Sequence, residues 1–130
     1  MNDTFTALTC IDWLGDSLCK ITASWHPRRV LRDSHGYARV ITSDVRYNSL
    51  VERAFEKIRQ ASGGMPAVMI RQLEALTKIM EHATTADHPQ VLLEQAQMIY
   101  ASGLASIPEP RDLADVKSEY DKVLRAERGV

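Results

Sequence analysis

Apolar residues recur at intervals of three and four in five separate stretches of this chain, with proline or glycine at most of the joins. That spacing matches one face of an α-helix, so the pattern predicts amphipathic helices that must cover one another's apolar sides. In the first stretch Leu8, Ile11, Leu14, Leu18 and Ile21 form the stripe, and Asp12, Asp16 and Lys20 form a ridge that reads as solvated. Asp3 or Thr4 suits the N-cap, and His26-Pro27 stops the helix because a residue before proline avoids the α region. A second helix begins near Asn48 or Ser49, carries Leu50, Val51, Ala54, Phe55 and Ile58, and ends at Ser62-Gly63-Gly64. Pro66 opens a third, with Met69, Leu73, Leu76 and Met80 inside and Glu74 paired with Lys78 outside. A fourth follows Pro89, with Leu92, Ala96, Ile99 and Tyr100 as its inner face. After Ile107-Pro108-Glu109-Pro110 a fifth starts near Arg111 and turns Leu113, Val116, Tyr120 and Leu124 inward, with fraying from Arg125.

Between the first two helices the character changes. Arg29–Arg32, then Asp33-Ser34-His35-Gly36, then Tyr37–Thr42 read as strand, turn and strand, with β-branched Val40, Ile41 and Thr42 in the second strand. The expected fold is therefore mainly α. It is an antiparallel bundle of about five helices with one short β-hairpin between the first and second, forming a single domain over residues 1–130. A lone hairpin is marginal in water, so it must lie on the helices or pair with something else.

Composition excludes several alternatives. The chain is 45% hydrophobic and 25% charged, which argues against disorder. Its formal net charge of -1 offers no electrostatic reason for nucleic acid or an anionic membrane surface as partner. No apolar run reaches the roughly 20 residues that span a bilayer, so direct membrane insertion by this segment is not expected. Cys10 and Cys19, nine residues apart on one helix, point to opposite sides and read as reduced packing thiols.

Nothing in the sequence assembles a catalytic set, and no metal or cofactor is expected. His82 and His88 stand six apart across a loop and read as exposed residues at a helix end, not as a ligand pair. Asp33, Ser34 and His35 are consecutive in a turn, where their side chains diverge too far for a proton relay. Ser62-Gly63-Gly64 lacks the Gly-Lys-Ser/Thr of a phosphate loop. Arg28, Arg29 and Arg32 make a small basic cluster near Trp25, read as an ion-paired surface or a self-association edge. Trp13 and Trp25 read as core or interface anchors. Asn2, Asp3 and Thr6 gather at the first helical turn, where free N–H groups and the dipole favour polar partners; this is a capping cluster or a polar site.

Three ordered blocks resemble one family. Asn2-Asp3-Thr4-Phe5-Thr6-Ala7, followed by Thr9–Leu14, resembles the Asn-Asp-Pro-x-Thr-Ala signature of a family of bacterial predicted membrane proteins catalogued as domain of unknown function 2254. Arg32–Val40 is similar to that family's Arg-Asp-x-x-Gly-x-x-Arg-Val hairpin, and Ala54–Gln60 to its Ala-Phe-Asp-x-Ile-Arg-Gln helix. The chain departs from the signature at Thr4, where the family usually has proline. The resemblance implies a C-terminal soluble part of a longer protein, preceded by transmembrane helices, and it carries no reaction with it. Asn2, Asp3, Thr6 and Ala7 are the signature residues it transfers.

The leading expectation is a non-catalytic domain on the cytoplasmic side of a bacterial inner-membrane protein, serving assembly, regulation or ligand sensing, with the rest of that protein as its partner. One rival is an enzyme or small-molecule site using Asp3, Asp12 or a histidine and completed by upstream residues. Another is a stand-alone helical interaction module that forms a homo-oligomer through Trp13, Trp25 or the hairpin edge with Arg29 and Arg32.

Overall fold

The computed structural model describes residues 4–25, 30–32, 35, 36, 38–40, 46–61 and 64–129. It is mainly helical, with α1 (Thr4–Ala23), α2 (Tyr47–Ala61), α3 (Pro66–Met80), α4 (Asp87–Ser106) and α5 (Pro110–Glu127). In the segment between α1 and α2, β1 (Val30–Arg32) and β2 (Ala38–Val40) pair antiparallel, with Leu31 opposite Arg39. Arg29, Asp33, Ser34, Tyr37, Ile41 and Thr42, which the sequence assigned to strands and turn, lie outside the described residues, as do His26-Pro27, Ser62-Gly63 and Val130.

The bundle is organised around α3. Its core residues Val68, Met69, Leu73, Leu76 and Ile79 are all essentially inaccessible to water, and α3 packs against α1, α4 and α5. The helix can serve three neighbours because apolar residues occupy more than half of its circumference. On α1 the buried line is Ile11, Gly15, Leu18 and Thr22, at steps of four, three and four. Gly15 lets α1 lie close on α3: a Cβ there would lie 3.3 Å from the Ala75 Cβ. Gly103 on α4 sits among Met69, Ile107 and Val116, where α3, α4 and α5 converge.

The connection from α2 to α3 turns at Gly64, whose positive φ of 78° suits glycine. The Gly64 N–H donates to Ser106 Oγ at 3.1 Å, tying this turn to the end of α4. The short connection does not dictate the packing: α2 buries Val51 and Phe55 and packs chiefly against α4, with a lighter contact to α1.

Several local expectations are corrected. Helix α4 starts at Asp87, so Pro89 lies inside its first turn, where a missing N–H costs nothing. Helix α5 runs on to Glu127, past the expected fraying point. Its innermost residues are Val116 and Val123, whereas Leu124, one position on, is only half-buried. Cys10 is exposed and not a packing residue; Cys19 is partly buried against the core.

Candidate functional site

Two places bring chemically distinctive side chains together. The first is a groove of about 290 Å³ between α1 and α3. Ile11, Gly15 and Ala75 form its floor, and Asp12, Asp16, Arg71, Glu74 and Lys78 line its walls. It exists because Gly15 and Ala75 are the smallest residues of the two facing helices, so the longer charged side chains on either side stand above the crossing. Arg71 Nη1 donates to both carboxylate oxygens of Asp12, at 2.9 and 2.7 Å. Its Nε lies 3.8 Å from Glu74, the residue three positions on. Asp12, expected on a solvated ridge, is thus held to α3 by a charge-assisted bond.

The Arg71 and Asp12 side chains are 38% and 49% exposed, so water screens the pair. Arg71→Ala is expected to cost only about 0.5–1 kcal/mol, checked by the urea midpoint of the two proteins. A loss several times larger would show that the pair, and not the Gly15–Ala75 crossing, holds α1 to α3.

The second place is an aromatic junction where the end of α1, the start of α2 and the start of α4 meet. Tyr47 and His88 stack with ring centroids 3.7 Å apart and planes 18° from parallel. Trp25 meets both rings edge-on, at 5.4 Å from Tyr47 and 6.2 Å from His88. The Tyr47 hydroxyl and Thr22 Oγ1 share a hydrogen bond of 2.7 Å, and Thr84 Oγ1 donates to the Thr22 carbonyl at 3.4 Å. Burial raises the Tyr47 hydroxyl above its ordinary pKa, with the Thr22 bond opposing. Burial holds the His88 imidazole below its ordinary 6.5, with Asp87 opposing.

His88 is only 2% exposed, which corrects its reading as a solvated loop residue. Its Nδ1 is buried with no hydrogen-bond partner among the described residues. His82 is exposed, as the sequence suggested. Among the described residues no three His, Cys, Asp or Glu side chains converge as metal ligands.

The remaining candidates separate. Asn2, Asp3 and Arg29 lie outside the described residues. Thr6 is exposed on the first turns of α1, and Arg32 ends β1. Trp25 is drawn into the junction, whereas Trp13 stands 73% exposed on the outer side of α1. Phe5, which sequence reasoning passed over, is 78% exposed on the same side. The phase of the helix carried that signal: at about 100° per residue, Trp13 lies about 200° from Ile11. Arg71 and Tyr47 carry no such mark, because their partners are distant in sequence.

A family model described as Predicted membrane protein (DUF2254) matches residues 1–78, which includes α1, α2, the groove and nearly all of α3. No curated protein and no solved structure matches the chain.

Proposed function

Because the chain belongs to this family of predicted membrane proteins, domain of unknown function 2254, we propose that it is a non-catalytic domain held at the cytoplasmic side of a bacterial inner membrane. There it docks on other parts of its parent protein and serves assembly or regulation. Among the described residues no helix is long and apolar enough to cross a membrane, so spanning would fall to other segments of such a protein.

The observation that carries the docking reading is the outer side of α1. Phe5 and Trp13 are eight residues apart, within a quarter turn of each other, and both mostly in water. Burying rings of this size is worth about 1.5–3 kcal/mol each, so covering both would drive association appreciably. Trp13 takes this role; Trp25, packed inward, does not.

The test places a photoreactive benzoylphenylalanine at position 13 of the membrane-bound protein. The expected result is an adduct to another segment of the same polypeptide. An adduct to a second copy would support the self-associating module instead, and no adduct at all would sink the docking reading. Phe5→Ser with Trp13→Ser should leave stability within about 0.5 kcal/mol, since neither ring is packed, yet abolish association. Protease cleavage of this domain in inverted but not right-side-out vesicles checks the side of the membrane.

A further inference from the structure

We propose that the junction of Trp25, Tyr47 and His88 is a proton-sensitive latch that holds the N-terminal end of α2 on the body of the bundle and loosens when His88 takes up a proton. The geometry has three parts. His88 is the face against which Tyr47, the first residue of α2, is stacked. The residue is only 2% exposed, and its buried Nδ1 has no hydrogen-bond partner among the described residues. It also lies in the first turn of α4, where the positive end of the helix dipole opposes an added positive charge.

Among the described residues the groups that could answer that charge are few. Asp87 is on the same helix and favours protonation, but does not outweigh burial. Tyr47 faces the ring from α2 as a neutral hydroxyl already engaged by Thr22. From α1 and the residues just after it the neighbours are Trp25 and, beside Tyr47, the Cys19 thiol, which burial and Asp16 keep protonated. Glu81, beyond the end of α3, acts on Cys19. Stacked Tyr47 would attract an imidazolium through its π face, an effect smaller than the loss of water from a closed charge.

Release would be local, because α2 packs chiefly on α4 and lightly on α1, whereas α3 is gripped on three sides. The unfolded imidazole titrates near 6.5 and the folded one lower, so the unfolded or opened chain binds the proton first. Stability contributed by the latch is therefore complete above pH 6.5 and is lost as the pH falls from 6.5 towards the folded value.

Hydrogen exchange of the whole chain, with each α2 amide referred to the amides of α3, reads this directly. Between about pH 7.5 and about pH 5 the relative exchange of α2 should rise about tenfold for each unit by which the folded His88 titrates below the opened one. His88→Phe keeps the stack and should remove the pH dependence. Unchanged relative exchange, or pH dependence that persists in the variant, overturns the latch. Should the variant fail to fold, NMR titration of wild-type His88 decides: a midpoint below 6.5 supports the proposal, and one at or above it refutes it.

Discussion

Phe55→Ala is expected to lower the unfolding free energy by about 3–5 kcal/mol, the range found when a large aromatic is cut out of a packed core. Phe55 is fully inaccessible on α2, with Val51 one turn before it, and together they are the most deeply buried residues of this helix. A domain of ordinary stability has about 5–15 kcal/mol in all, so the variant would sit near its threshold at body temperature. The check is urea unfolding followed by circular dichroism. A lower midpoint with an unchanged slope would mean that α2 unfolds with the rest of the bundle. A new early phase carrying about one helix of signal would mean that α2 leaves first, as the latch requires. A loss below about 1 kcal/mol would contradict the packing of Phe55 altogether.

Gln72→Leu is expected to act in the opposite direction, raising stability by about 1–3 kcal/mol. Gln72 is 0% exposed in the middle of α3, and neither its Nε2 nor its Oε1 has a hydrogen-bond partner among the described residues. A buried amide without partners loses its bonds to water and gains none, whereas leucine of similar size loses nothing. For a chain of this length the gain corresponds to a rise of roughly 3–5 °C in melting temperature per kcal/mol, readable by calorimetry. Gln72→Glu supplies the control: a carboxylate at the same place should destabilise markedly, because its charge would be closed off from water. If Gln72→Leu melted lower than the parent, the Gln72 amide would have to be hydrogen-bonded in solution.

Local pattern made much of this legible. Steps of three and four placed all five helices, and most residues they put inside are inside, among them Ile11, Leu18, Val51, Phe55, Leu73, Leu76, Leu92 and Val116. Proline at the start of α3 and α5 and glycine at the α2–α3 turn marked boundaries because their constraints are local. Gln72 lay on the same stripe, three residues after Met69 and four before Leu76, so its burial could have been read from phase alone. The candidate site was less legible. Asp12 is exposed as its ridge suggested, but its partner Arg71 is 59 residues away and left no mark in the local pattern.

The sequence by itself determined where helices form and which side of each is apolar, since both follow from the period of the helix and the chemistry of consecutive residues. The tertiary structure alone decided which helices meet, and with that the surroundings of every polar or aromatic residue away from the stripe centres. His88 reads from sequence as an exposed residue at a helix end, until the end of α1 and the start of α2 close over it with Trp25 and Tyr47. Helix α2 passes over its nearest successor in sequence to pack on α4, because covering Val51 and Phe55 outweighs the short connection at Gly64. Phe5 and Trp13 remain in water for the same reason: α1 has a single face turned to the bundle, and they are not on it.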